Sequence, residues 1–329
     1  MRRVSENQNV RQLVVNALEN KRRLNDLSNQ LTTGLKVNKP SDSVDAGAIA
    51  RYQTLIAKVD SYGTAVAQTK SLLEYQDSIV SQATEVIVRA KEIAQQGANE
   101  TLNPESRAQL AEEVFQLRDQ LASLANSTYQ GRYVYGGADD DDPPYDEGVY
   151  LVPATGPARV RYTFDGELGT DTPKSVQITD EISVTLNTPA NRVFGTAIEA
   201  LERLSRALSG VRTHPLPSGT PDGGGLEYTF PGEYHLQTEH IRGAIDLLNQ
   251  ARDVDLIPER VSLGGRLRRL ETGQALLDLT KNSAKEVLSR LQDADETEVA
   301  ANLQQAQTAL QASYSVTAKV LRMTILDYV

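Results

Sequence analysis

From about Val44 to Gln96 the chain runs without a proline, and its apolar residues recur at alternating steps of three and four. Val59, Tyr62, Val66, Thr69, Leu73, Gln76, Val80, Ala83, Ile87, Ala90 and Ala94 hold that register. Such spacing places one stripe along one helix face. A helix of this length spans about 75 Å at ~1.5 Å per residue, longer than most globular domains accommodate. The partner of so long a stripe has to be another long helix, so the chain is constrained toward bundles and coiled coils.

The same pattern returns at both ends. Val10, Leu13, Ala17, Asn20, Leu24, Leu27 and Leu31 form an N-terminal seam, which Gly34 and Pro40 interrupt. Ser41, Asp42 and Ser43 offer caps for the long second helix. Asn103 and Pro104 start a third helix, with its stripe at Leu110, Val114, Leu117, Leu121 and Leu124. Near the C-terminus, Leu263, Leu267, Leu270, Gln274, Leu277, Lys281, Ala284, Leu288 and Leu291 resume the register. Asp295 with Glu298 reads as a capping box ahead of Val299, Leu303, Ala306, Leu310, Ser313, Thr317 and Val320. The tail stays apolar through Leu321, Ile325 and Leu326.

The middle differs. After Gly136-Gly137 the acidic and proline-rich run Asp139–Pro144 marks a boundary. Short β-forming runs follow at Val149–Val152, Arg159–Phe164, Ser175–Thr179 and Ile182–Leu186. Phe194, Ala197, Ile198, Leu201, Leu204 and Leu208 return to helical spacing, Pro215–Gly225 is an irregular insertion, and Ile241, Ile245 and Leu248 are helical again. The expected fold is mainly α with a small β domain: elongated, multi-domain, a long antiparallel bundle or coiled coil made from both chain ends. The expected divisions are 1–41 with 295–329 for assembly, 42–137 with 191–294 as a helical rod carrying an irregular insertion at 211–235, and 138–190 as an outer β-rich domain.

Composition narrows the function. The 329 residues carry a net charge of −10, contain no cysteine or tryptophan, and are only 5% aromatic. Leu, Ala and Val therefore do the packing, and disulfides and thiolate metal sites are excluded. An acidic chain is a poor partner for nucleic acid. No stretch reaches the ~20 apolar residues of a membrane span, and Ser5–Asn9 stands where a signal peptide needs an apolar core.

The Asp139–Asp142 cluster lacks the glycine and the terminal glutamate of a calcium loop, and reads as a solvated hinge. His235 and His240 do not share the i,i+4 face of a ligand pair, and with His214 they read as ordinary surface residues. Gly223–Gly225 lacks the lysine of a phosphate loop. Asn99-Glu100-Thr101 and Asn126-Ser127-Thr128 match the glycosylation pattern, which is too common to weigh. No nucleophile elbow, paired acid and base, or cofactor motif emerges, so an enzyme is not expected.

Leu31-Thr32-Thr33-Gly34-Leu35-Lys36-Val37-Asn38-Lys39-Pro40-Ser41-Asp42, followed by Ala46–Ala50, closely resembles the N-terminal signature of the flagellin superfamily. Gly34, Asn38, Ser41 and Asp42 carry its turn. Ala125–Gly137 and the ending Leu310–Val329 are similar to the hook-filament junction branch rather than to filament flagellin. The resemblance implies a secreted, extracellular structural subunit, exported through the flagellar type III gate without a cleaved signal peptide. Its implied partners are the first hook-filament junction protein, flagellin, copies of itself and an export chaperone, with no nucleic acid and no membrane insertion.

The implied assembly residues are Val10, Leu13, Leu24, Leu27, Leu31, Val299, Leu303, Leu310, Val320, Leu321, Ile325 and Leu326. A chaperone on the last helix would meet Leu310, Tyr314, Val320, Leu321 and Ile325. The alternatives are a minor flagellin that forms the filament itself, and a cytoplasmic coiled-coil signalling or tethering protein.

Overall fold

The computed structural model describes residues 2–37, 45–137, 140–151, 158–164, 173–179, 182–211 and 228–326. Seven α-helices and three strand pairs are described: α1 (Arg2–Thr33), α2 (Ala46–Gly97), α3 (Pro104–Ala125), β1 (Thr128–Tyr129), β2 (Arg132–Tyr133), β3 (Tyr145–Leu151), β4 (Ala158–Phe164), β5 (Ser175–Gln177), β6 (Ser183–Thr185), α4 (Ala190–Leu208), α5 (Tyr234–Gln250), α6 (Ile257–Gln292) and α7 (Glu296–Leu326). Each strand pair is an isolated antiparallel hairpin, β1–β2, β3–β4 and β5–β6. Long helices from both ends and a small inserted set of antiparallel strands are the fold that the sequence pattern predicts.

The chain divides into two compact units. The terminal unit comprises residues 1–61 and 277–329, and the central unit residues 62–276. Helices α2 and α6 contribute to both.

The central unit holds the dense core. On α2, Leu73, Val80, Ala83, Ala90 and Ala94 are fully buried, in the register that the spacing predicts. Phe194, Ala197, Leu201 and Leu204 of α4 face the same way inward, so the α4 stripe also matches. Gly97 closes α2 where a Cβ would collide with Leu208 of α4. Asn103 caps α3, accepting from Ser106 N at 2.8 Å, with Pro104 at the first helical position.

Three features depart from the sequence reading. On α3 the buried stripe is Arg107, Ala111, Val114, Phe115, Arg118, Leu121, Ala122 and Ala125, while Leu110, Leu117 and Leu124 are half-buried. The helix is thus rotated relative to its expected seam, and two arginines lie inside. Arg107 donates to Gln237 Oε1 and, at 3.1 Å, to the Asn99 carbonyl. Its burial lowers its pKa, and neutral acceptors meet the charge. Arg118 pairs with Asp119 at 2.8 Å and lies over the rings of Phe115 and Tyr162.

The second departure is that α5 begins at Tyr234 and continues without a break into α6 through a π-helical turn at Ala251–Leu256. Ile257 N–H donates five residues back, to the Arg252 carbonyl. Pro258 follows at once. It has no N–H to give and its ring crowds the preceding turn, so a widened turn just ahead of it relieves the conflict.

The third is the hairpin β1–β2, which the sequence reading missed. Gln130 and Gly131 both have positive φ, 54° and 82°, as the tight two-residue hairpin turn requires. Strands β3 to β6 lie close to the expected runs. Residues 165–172 and 212–227, which contain the expected turns and most of the Pro/Gly insertion with His214, lie outside the described residues.

Leu73→Ala should remove about 2–5 kcal/mol of stability, because a fully buried leucine leaves a cavity. Leu279→Ala, at a side chain that is 65% exposed, should cost less than about 0.5 kcal/mol. Denaturant melts of the two variants compare them directly.

Candidate functional site

The terminal unit is built around a clasp between residues far apart in sequence. Helix α1 ends at Thr33, and Gly34 turns the chain with φ +70°. Nothing lies within 4 Å of where its Cβ would stand, so the glycine serves the backbone angle alone. Leu35 then pairs with Asp293 as an antiparallel bridge. Lys36 N donates to the Gln292 carbonyl and Ala294 N to the Gly34 carbonyl, both at 2.8 Å. Lys36 Nζ also reaches the Arg290 carbonyl at 2.8 Å. Asp295 then caps α7, accepting from Thr297 N at 2.9 Å and Glu298 N at 3.2 Å.

The clasp sets α1 and α7 side by side in opposite directions. Leu13, Ala17, Asn20, Leu24 and Leu27 are half-buried along α1, in the expected register. On α7, Val299 and Ala306 are buried, and Leu303, Leu310, Ser313 and Thr317 are half-buried. Leu31 departs from its expected place: it is 39% exposed, and the half-buried position is Gln30, whose amide donates to the Lys36 carbonyl. The turn pulls the end of α1 toward its own loop.

The seam is narrow, and a second set of apolar side chains is left uncovered. Val14, Val15 and Leu18 on α1 are 45–54% exposed, and Tyr314 and Val316 on α7 are 53% and 48% exposed. Counting back from the clasp in both directions places these groups at one level along the antiparallel pair. The side chains of Val10, Val320, Leu321, Ile325 and Leu326 lie outside the described ones, as do residues Asn38, Ser41 and Asp42. The residue before α2 is Asp45, whose carbonyl accepts from Ala48 and Ile49.

In the central unit, the Ala125–Gly137 segment has a structural role. Asn126 ends α3 and clamps β3 with both halves of its amide: Nδ2 donates to the Tyr145 carbonyl at 2.8 Å, and Oδ1 accepts from Tyr145 N at 3.0 Å. Tyr135 is buried edge-on against Phe194, and its hydroxyl donates to the Gln76 carbonyl at 3.4 Å. Burial drives its pKa well above the usual tyrosine value.

Asp140 does not sit in open solvent as a hinge residue would. It accepts from Arg132 at 3.0 Å and from Lys174 at 2.7 Å. His240 is half-buried and bonded through Nδ1 to the buried Tyr228 hydroxyl, which corrects its reading as an ordinary surface residue. Glu259 lies in a buried network with Thr188, at 2.7 Å, and Arg266. Among the described residues no three His, Asp or Glu side chains gather in a metal-binding group, and no helix is long and apolar enough to cross a membrane.

The terminal helices thus form an antiparallel pair, clasped at a glycine turn, that leaves apolar side chains uncovered. Residues 4–139 match the bacterial flagellin N-terminal helical region, and residues 245–329 match the bacterial flagellin C-terminal helical region. The chain belongs to the flagellin family. Within it, the chain is similar to the flagellar hook-associated protein 3 of Salmonella typhimurium, at 27% identity over 88% of this chain and 87% of the relative. It is also similar to the flagellar filament 33 kDa core protein of Treponema phagedenis, at 23% identity over 80% and 90%. The crystal structure of the Legionella pneumophila flagellar hook-associated protein 3 shares the fold, with a TM-score of 0.56 and 15% identity over 74% of this chain and 98% of that one.

Gly34→Ala should destabilise the terminal unit by about 1–2 kcal/mol, because only the left-handed backbone angle is at stake. Gly34→Asn should cost less, and limited proteolysis at α1 ranks the two. Burial alone would raise the Asp140 pKa, but the hydrogen bonds from Lys174 and Arg132 outweigh it and hold the group below its ordinary 3.8. A carboxyl depressed on folding stabilises above its unfolded pKa and loses that contribution as pH falls through the folded value. Asp140→Asn should therefore lower the melting temperature at pH 7, and the gap from wild type should close as pH falls below 3.8.

Proposed function

We propose that this chain is a non-enzymatic structural subunit of the bacterial flagellum that joins the hook, through a first junction protein, to the flagellin filament. The observation that carries this reading is the similarity along 88% of the chain to a hook-associated protein 3, central strands included. The uncovered apolar side chains of α1 and α7 support polymerisation through the terminal helices. An isolated two-helix seam that holds Asn, Ser and Thr is marginal in water and gains order from neighbours.

On this reading residues 1–41 and 295–329 form the assembly domain, 42–137 with 191–294 the rod, and 138–190 the outer domain. The chain leaves the cell through the flagellar export gate without a cleaved signal peptide and acts outside it. A chaperone holds the last helix at Leu310, Tyr314, Val320, Leu321 and Ile325. Leu310 is half-buried in the pair, so α1 and a chaperone compete for it.

The second reading, a minor flagellin, is favoured by the similarity to the Treponema filament core protein. Deletion separates the two. Loss of a junction subunit should leave bare hooks in electron micrographs while flagellin accumulates in the medium. Filaments of normal length on the deletion strain would overturn the junction reading. Complementation with Leu24→Asp should fail to restore filaments, with the variant still present in the culture supernatant.

A further inference from the structure

Helix α6, with the π-helical turn ahead of it, is apolar on two opposite sides. Leu256, Leu263 and Leu270 are buried in the central unit, while Val254, Ile257, Val261 and Leu276 are exposed. Val261, at 71%, is the most exposed large apolar side chain among the described residues. Scattered apolar residues on a surface are ordinary, but these recur on one side of a helix. Gly265, Arg268 and Thr272, all exposed, continue the same stripe. Nothing lies within 4 Å of where a Cβ of Gly264 or Gly265 would stand, so packing inside the chain requires neither. Each costs a helix about 1 kcal/mol relative to alanine, and together they leave a gap where another backbone can come close.

The stripe is also basic. Residues 257–276 carry Arg260, Arg266, Arg268 and Arg269 against Glu259 and Glu271. Arg260 pairs with Asp77, Arg266 with Glu259, and Glu271 with Lys70. Arg268 and Arg269, both exposed, form no hydrogen bond or ion pair among the described residues. A surface that covers this side of α6 has to be apolar and acidic. The chain carries such a surface on the exposed side of α2. Val88 is the one other large apolar side chain of the central unit, among the described residues, that stands as exposed. One turn before it is Glu85, exposed and without a partner among the described residues. Beside them Arg89 is shared by Glu92 and Glu113, two carboxylates to one guanidinium, while Lys91 acts on Asp253. Helix α6 is a poor match for itself. A parallel pairing sets arginine on arginine, and an antiparallel one centred on the glycines sets Arg268 on Val261.

We propose that the exposed side of α6 packs on the exposed side of α2 of a second copy of this chain, with Arg268 meeting Glu85 and Val261 and Val88 joining the apolar contact. The inference rests on the reading that copies assemble, and adds a contact between central units to the one that the terminal helices offer. A contact between two different surfaces repeats from copy to copy, so it builds a ring or a helix rather than a closed pair.

The chain has no cysteine, so introduced ones report alone. Full-length Thr272→Cys, one turn from Arg268, is mixed with full-length Gln82→Cys, one turn from Glu85, and treated with a flexible bismaleimide. The mixed product should exceed either homodimer by about fivefold or more, and rising salt should reduce it. Arg268→Glu in the first chain should cut the mixed product about fivefold. Glu85→Arg in the second chain should then restore it, a recovery that misfolding cannot produce. All four positions are exposed, so the variants keep their fold. No mixed product, homodimers as abundant as the mixed one, or no recovery in the charge-swapped pair would each overturn the proposal. The deletion phenotype, which tests the flagellar reading, does not depend on any of these outcomes.

Discussion

Residues more than 250 positions apart meet at the Gly34–Val37 clasp, and the terminal unit depends on that meeting. Two backbone hydrogen bonds and two side-chain contacts to carbonyls join the exit of α1 to the entry of α7. The clasp fixes the direction and register of the two end helices. With the register set, the half-buried positions of α1 run alongside those of α7. The clasp itself depends on a single left-handed residue, Gly34. A Cβ there meets no neighbour, so its requirement is conformational and not one of space.

The two units are stabilised differently. In the central unit, fully buried side chains on α2, α3, α4 and α6 make a dense core that also encloses two arginines, and each arginine is met by acceptors or aromatic faces. In the terminal unit, burial is partial nearly everywhere, with Val299 and Ala306 at 7% among the most covered positions of α7. Narrow seams of this kind give direction and register more than depth of stability. The central unit encloses its own apolar stripes, whereas the narrow seam leaves Val14, Leu18 and Tyr314 exposed.

Much of this was legible in the sequence, because repeated small signals agree. The stripes of α2, α4 and α7 stand where three-four spacing puts them, and Asn103-Pro104 and Asp295 cap the helices they precede. Hidden signals were those in which one residue type serves two roles. Arg107 and Arg118 look like surface residues, and only the packing of α3 against its neighbours reveals them inside. Leu31 fits the heptad perfectly by spacing, yet the turn at Gly34 draws Gln30 into its place. His240 carries no local cue, since its partner Tyr228 precedes it by twelve positions across an irregular segment. In the Ala125–Gly137 segment the residues were visible as a motif, but their physical meaning emerged only with Asn126 on the backbone of β3.

The π-helical turn at Ala251–Leu256 bears on how such a chain tolerates change in length. The buried positions step from Leu248 to Ala251 by three, from Ala251 to Leu256 by five, and from Leu256 to Glu259 by three. The stride of five is one residue more than an ordinary turn. In a regular helix one added residue rotates everything beyond it by about 100° and turns the buried face toward solvent. Here the widened turn absorbs that residue, and the stripe recovers at Glu259 and Leu263. The helix thus accommodates an extra amino acid at a single point, leaving the core positions on either side in phase.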